Sequence, residues 1–328
     1  MIKIAVYGCR TFDEEPIFDK YAKELGIELL KIYEPLTLDT VHLSKGCYGI
    51  SILYTVVERD VMQALVNQGI KHMSLRCIGY DCVDLESAKE LGLEVSNISY
   101  DISSVAEYTV MLMMMSLRKY KYIHKQANVN DFSLPNKMGK SIQGSTIGVI
   151  GTGAIGSKVI KILSGYNCKV LAYDLYPRDD LKGYCEYVTL DELYKESDAI
   201  TLHTPATKDN FHMINKETIN KMKDGVVIIN CARGALINTQ DLIEAVKSRK
   251  VSNVALDAIE DEMGLYFNDL SHSDLVHDDL NALRSSDHII VSPHMAWYTD
   301  GAVDDMVINS LTSIIKSYNH EENKYRLV

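Results

Sequence analysis

The segment Thr146-Ile147-Gly148-Val149-Ile150-Gly151-Thr152-Gly153-Ala154-Ile155-Gly156 constrains the fold more than any other part of the chain. Gly151, Gly153 and Gly156 fall in G-x-G-x-x-G spacing between a β-type run and a helical one, residues 157–163. In such a turn the first glycine makes the tight bend, the second lets backbone approach a pyrophosphate, and the third lets helix and strand pack closely. The free N–H groups of the helix then face the phosphates, with the positive end of the helix dipole behind them. Residues 168–173 read as the next strand, and Asp174 at its end lies 18 residues past Gly156. That is near the ~20 expected for a carboxylate on the adenosine ribose. Strand, helix, strand and terminal acid in this order imply dinucleotide binding. The acid would hydrogen-bond a ribose 2′-hydroxyl and repel a 2′-phosphate, which points to NAD over NADP. Arg178 complicates this, since a guanidinium folded back there would accept the phosphate.

The chain has 328 residues, more than the ~250–300 at which one core usually stops growing, so two domains are expected. Its 46% hydrophobic and 24% charged residues match an ordinary soluble globular protein. A formal net charge of −11, with acids and bases interspersed, argues against a nucleic-acid partner. Cys9, Cys47, Cys77, Cys82, Cys168, Cys185 and Cys231 form an odd set without a C-x-x-C pair. Such a set suits free thiols in a reducing compartment better than a disulfide frame or a zinc site. His272, His277 and His288 have no partner at metal spacing, so no metal is expected. The opening run, residues 1–7, is too short for a signal sequence and reads as a strand. The most apolar stretch, residues 108–117, is about half a membrane span. The expected location is cytoplasmic, with no membrane partner.

Strand and helix patterns alternate in two blocks. Residues 2–7, 49–53, 72–75 and 94–98 read as strands of the first, with helical stretches at 15–25, 60–68 and 85–91. Only Gly8 follows the first strand, so this block lacks the nucleotide fingerprint. Residues 101–121 read as one long helix capped by Ser103 or Ser104. It is apolar nearly all round and methionine-rich, which suits a helix between domains or subunits. From Thr146, six strands (the last four at 199–202, 226–230, 254–256 and 288–291) suit a doubly wound parallel sheet. A final helix, residues 302–318, is free to return to the first block.

Chemistry-bearing residues recur at successive strand ends of the second block. Asn230-Cys231-Ala232-Arg233-Gly234 follows one strand, and its arginine suits a carboxylate fork. Asp257 ends another, with Glu260, Asp261 and Glu262 just beyond, and His294 follows the last in Ser292-Pro293-His294. Each alone has a bland reading: a surface salt bridge, a lid acid, a structural histidine.

Together with Val149–Gly156, Leu202-His203-Thr204-Pro205, Asn230–Ile237, Ala255-Leu256-Asp257 and Ser292–Thr299, these residues resemble the D-isomer-specific 2-hydroxyacid dehydrogenases over essentially the whole chain, most closely the D-lactate dehydrogenase branch. The resemblance implies two Rossmann-like or flavodoxin-like doubly wound parallel-sheet α/β domains with the active site in the cleft between them. Residues 1–100 and 300–328 would form the substrate domain, and 101–299 the NAD-binding domain. Arg233, Glu262 and His294 match the catalytic trio; only the family register selects Glu262 among three neighbouring acids. Ala154, Ile155, Asp174, Thr204, Pro205, Asn210, Cys231, Ala232 and Asp257 match positions that line the cofactor, joining the three fingerprint glycines. Ile78 and Gly79 match a backbone loop that holds the substrate carboxylate. Tyr100, Tyr54 and Trp297 match substrate-facing positions. The implied activity is reversible hydride transfer between NADH and pyruvate, giving D-lactate, by a homodimer. The alternatives are a dehydrogenase for larger branched or aromatic 2-oxo acids and a non-catalytic NAD sensor on the same fold.

Overall fold

Short apolar runs separated by amphipathic stretches bury their backbone polar groups most simply as parallel strands with crossover helices. The computed structural model describes residues 1–328 except Tyr54, Asp274 and Val276. It divides into two units, Met1–Asp101 with Tyr298–Val328, and Ile102–Trp297.

The first unit runs β1 (Lys3–Val6), α1 (Glu15–Leu25), β2 (Glu28–Lys31), β3 (Gly49–Ile52), α2 (Arg59–Asn67), β4 (His72–Leu75), α3 (Leu85–Glu90) and β5 (Glu94–Ser96). The strands are parallel in the order β2-β1-β3-β4-β5, the flavodoxin-like winding. β2 gives no strand signal in the sequence, because its Glu-Leu-Leu-Lys carries only two apolar residues and lies at the sheet edge. The C-terminal helix Asp300–Tyr318 packs on this sheet, its Val307, Leu311 and Ile314 buried with Ile4, Val6 and Phe18. Gly49 is required there, because a Cβ would come 2.7 Å from the Ile314 side chain. Under the C-terminal ends of the strands, fully buried Arg76 pairs with fully buried Glu14 at 3.1 Å. It also donates to the carbonyls of Tyr7 and Ser51, so the last turns of β1 and β3 share one cation.

The second unit begins with α4 (Ser103–Leu117) and α5 (Tyr120–Asn128). It continues with β6 (Thr146–Ile150), α6 (Ala154–Leu163), β7 (Lys169–Tyr173), β8 (Glu186–Tyr187), α7 (Leu190–Glu196), β9 (Ala199–Leu202), α8 (Lys216–Lys221), β10 (Val226–Asn230), α9 (Thr239–Lys247), β11 (Val251–Leu256), α10 (Asp278–Ser285) and β12 (Ile289–Val291). The parallel order β12-β11-β10-β9-β6-β7-β8 is doubly wound about β6, with the two-residue β8 added to the six strands expected. Strand direction of winding reverses between β6 and β9, where such sheets bind ligands at their carboxyl ends.

The single helix expected over residues 101–121 is two helices. Lys119 adopts a left-handed backbone, φ 53°, and the carbonyl of Leu117 accepts from Lys140 N at 2.9 Å. A distant segment has taken the acceptor that would have continued the helix. Nor does a serine cap α4: the N-cap is Ile102, with no side-chain cap. Among the described residues, no helix is long and apolar enough to cross a membrane.

Candidate active site

The glycine turn has the shape that a dinucleotide phosphate needs. Gly151 has φ 93°, and a Cβ there would lie 2.5 Å from the His203 carbonyl. At Gly156 a Cβ would meet the Gly151 carbonyl at 1.9 Å, so α6 can lie on the turn only without a side chain. Gly153, by contrast, caps α6 in extended conformation, and a Cβ would meet nothing within 4 Å. Bare backbone beside open space, followed by the exposed start of α6 at Ala154 and half-buried Ile155, fits a pyrophosphate on a helix N-terminus.

Asp174 follows β7 and reaches back to this turn. Its Oδ2 accepts from Thr152 N at 2.5 Å and Thr152 Oγ1 at 3.1 Å, and Oδ1 from Tyr176 N at 2.8 Å. The Tyr187 hydroxyl donates to Thr152 Oγ1, extending the chain to β8. The carboxylate is thereby fixed in orientation while keeping lone-pair capacity for a diol. Arg178 does not fold back on it: its guanidinium holds Asp180 at 2.9 and 3.1 Å.

Thr204, Pro205 and Asn210 form one loop after β9, closed by Asn210 Nδ2 donating to the Pro205 carbonyl at 2.8 Å. His203 before it contacts Thr201 Oγ1 at 3.0 Å, and burial pushes its imidazole well below the ordinary histidine range. After β10, fully buried Asn230 braces the turn that carries Cys231, Ala232 and Arg233. It donates to the Arg233 carbonyl at 2.8 Å and accepts from Ala232 N at 3.0 Å. Burial pushes the Cys231 thiol up, so it stays neutral. Gly234 comes next, and a Cβ there would lie 2.0 Å from the Ile259 carbonyl carbon. The arginine turn is thus pressed flat against the segment that bears the three acids.

Geometry separates those acids. Glu260 is engaged by Thr239 and His212. Asp261 is exposed, with a left-handed backbone of φ 54°. Glu262 turns inward: its Oε1 lies 2.7 Å from His294 Nδ1, and its Oε2 accepts from Ile259 N at 3.1 Å. His294 itself is left-handed at φ 55°. Beneath it, Asp257 is 1% exposed. Its oxygens accept from Ser292 Oγ at 2.6 Å, Met295 N at 2.8 Å and Ala296 N at 2.9 Å. Burial pushes this carboxyl up, against those three hydrogen bonds and the nearby His294. Expected along the cofactor, Asp257 directs its oxygens at the loop that presents the histidine.

Trp297 is half-buried and lies edge-on to Phe267 at 6.4 Å between ring centroids, while Phe267 lies 6.1 Å from the His294 ring. Phe267 is an exposed aromatic with φ 67°, and nothing in the sequence singled it out. In the other unit, Ile78 and Gly79 follow β4: Asn97 Nδ2 donates to the Ile78 carbonyl at 2.8 Å, and Cys77 Sγ contacts the Gly79 carbonyl at 3.1 Å. Tyr100 follows β5 and is half-buried; Tyr54 lies outside the described residues. Two histidines weighed as metal candidates have structural partners: His277 caps α10 and His288 stacks on Tyr122.

Residues 110–296 match the family model for the D-isomer specific 2-hydroxyacid dehydrogenase NAD-binding domain. An aromatic 2-oxoacid reductase of Clostridium sporogenes is 41% identical over 316 residues, 95% of each chain. A D-lactate dehydrogenase of Lactiplantibacillus plantarum is 40% identical over 319 residues, again 95% of each. The solved structure of a D-2-hydroxyisocaproate dehydrogenase superposes with a TM-score of 0.91 at 33% identity, covering 99% of both chains. The glycine fingerprint, the acid after β7 and the strand-end trio thus occur in a chain similar along its length to these enzymes, and it belongs to the D-isomer-specific 2-hydroxyacid dehydrogenases, as an NAD-dependent oxidoreductase.

Proposed function

We propose that the chain is a D-lactate dehydrogenase, reversibly reducing pyruvate to D-lactate. The observation that carries the chemistry is the 2.7 Å contact between Glu262 and His294. NADH, when bound, supplies the hydride. Arg233 grips the 2-oxo acid carboxylate with its planar fork and polarises the carbonyl. The family resemblance further assigns the backbone of Ile78 and Gly79, and Tyr100, to the substrate. Because Nδ1 of His294 is occupied by Glu262, Nε2 is the nitrogen left for the substrate oxygen. Protonated, it donates there as hydride arrives; neutral, it takes the hydroxyl proton in oxidation. Glu262 sets the ring orientation and places a carboxylate against the charge the ring carries when it donates. Gly151, Gly153, Ala154, Ile155 and Gly156 cradle the pyrophosphate, Asp174 binds the ribose, and Thr204, Pro205, Asn210, Cys231 and Ala232 line the cofactor.

An indole at Trp297 supports a short apolar pocket. A second reading, preference for aromatic 2-oxo acids, is favoured by Phe267, whose exposed ring extends that wall beside His294. The two relatives point to different substrates at nearly equal identity. A panel of 2-oxo acids assayed with NADH decides. Pyruvate should come first, 2-oxobutyrate next, and branched or phenyl-bearing acids well behind, since each methylene is worth only ~1–3 kcal/mol. Trp297→Ala should raise activity on phenylpyruvate relative to pyruvate. A wild-type preference for phenylpyruvate or 2-oxoisocaproate would replace the lactate reading with the second.

The proposed assembly is a homodimer, for which exposed Val129, Phe132, Leu134 and Met138 provide apolar surface. The seven cysteines are free, which supports a cytoplasmic location.

A further inference from the structure

Two residues before Glu262 stands Glu260, a carboxylate that the proposed chemistry does not use. Its Oε2 accepts from Thr239 N at 2.9 Å and Thr239 Oγ1 at 2.5 Å, at the first residue of α9. Its Oε1 lies 2.5 Å from His212 Nε2. The proton on that contact can be assigned. Asn238 Oδ1 accepts from Asp241 N, which turns the amide nitrogen toward His212 Nδ1 at 3.2 Å. An amide nitrogen only donates, so Nδ1 is the acceptor and Nε2 carries the hydrogen given to Glu260. Burial alone would push the Glu260 carboxyl up, but the bonds from Thr239 and His212 outweigh it and hold the group below the usual range.

His212 ties in two more segments. Its N–H donates to the Ala235 carbonyl and its own carbonyl accepts from Asn215 Nδ2, both at 2.9 Å. The Ile259–Glu260 peptide lies on Gly234, where a Cβ would overlap it. One clamp therefore joins the loop after β9, the arginine turn after β10 and the acid turn after β11. Within the acid turn the left-handed Asp261 separates the two carboxylates.

We propose that Glu260, held by His212 and Thr239, is a positioning residue that fixes the Ile259–Glu262 turn and so presents Glu262 to His294. This rests on the reading of His294 and Glu262 as the acid–base pair. The other titratable or charged groups around the pair are Asp257 beneath the His294 loop, Tyr266 near Glu262 and Asp257, and Arg233 on the neighbouring turn.

The test is the pH profile of kcat/KM for 2-oxo acid reduction, with NADH affinity measured alongside to confirm the folded site. Glu262→Gln should move the alkaline limb to lower pH, and Glu260→Ala should move it in the same direction. Each unit of movement reads as about a tenfold loss at alkaline pH. The double variant should shift no further than Glu262→Gln alone, because both act through one group. His212→Ala should reproduce the shift, and His212→Gln, which keeps a donor, should largely restore the profile; these two decide the matter if Glu260→Ala does not fold. An unshifted Glu260→Ala or His212→Ala profile beside a shifted Glu262→Gln, or an additive double, overturns the clamp and leaves the acid–base reading standing. An unshifted Glu262→Gln overturns both.

Discussion

At the scale of single residues, His294 shows how a side chain is aimed. A left-handed backbone costs a non-glycine residue on the order of 1–3 kcal/mol and is held only by its surroundings. Here Asp257 O accepts from His294 N at 2.9 Å, while the Asp257 carboxylate takes the next two N–H groups. His294→Gln should lower turnover by roughly 10²–10⁴, the range for a lost acid–base group, while NADH binding stays nearly intact. Arg233→Lys should instead raise KM for the 2-oxo acid strongly, because an ammonium lacks the planar fork. Near-normal turnover in His294→Gln would exclude the mechanism. Asp174, the proposed ribose partner, is oriented by Thr152, which Tyr187 braces in turn, and Arg178 is engaged by Asp180. The wild type should therefore use NADH far better than NADPH, and Asp174→Ala should narrow the difference. Equal kcat/KM for the two cofactors in the unmodified enzyme would refute this.

At the scale of elements, strands carry polar clusters that make them pH-sensitive. His72 on β4 is 1% exposed, with Nε2 at 2.8 Å from Ser96 Oγ and Nδ1 at 3.4 Å from Glu94. Ser317 of the C-terminal helix donates to the same Glu94, and Arg326 lies 3.6 Å from it. Burial pushes His72 down from the usual histidine value to about 4, against the pull of Glu94. The unfolded chain then binds a proton between the ordinary value of about 6.5 and 4 that the folded one does not. Stability is full above that window and falls as pH drops through it, by up to roughly 3 kcal/mol. His72→Gln removes this titration. In urea denaturation its deficit relative to the wild type should shrink as pH is lowered from neutrality through the window; a deficit independent of pH would show that His72 does not titrate there.

At the scale of the whole molecule, the segment between α5 and β6 exposes four large apolar side chains, Val129, Phe132, Leu134 and Met138. It is nonetheless anchored, by Lys140 N on the Leu117 carbonyl and Lys119 Nζ on the Asn136 carbonyl. An ordered apolar strip in water is a cost unless covered, and a second copy of the chain is its proposed cover. Sedimentation should give a dimer for the wild type and a monomer for the Phe132→Asp/Leu134→Asp variant. A monomeric wild type would rule out this assembly.

Local periodicity and turn chemistry were enough to read alternating strands and helices in both blocks, the parallel sheet of the second, the glycine turn and many element bounds, because burial imposes them wherever the strands sit. α1 and β4 came out residue for residue, whereas β2 and β8 were too short and too polar to stand out. Arg233 and His294 stood out by their places at strand ends, whereas Glu262 was chosen only by the family register, since spacing alone left Glu260, Asp261 and Glu262 equivalent. Only tertiary contacts told the three acids apart, giving Glu260 to His212 and Thr239 and Glu262 to His294. The same holds for the break at Lys119 and for Phe267 beside Trp297. Each depends on a partner far away in the chain, and a hydrogen bond or ring contact between distant residues leaves no mark on the periodicity of either segment.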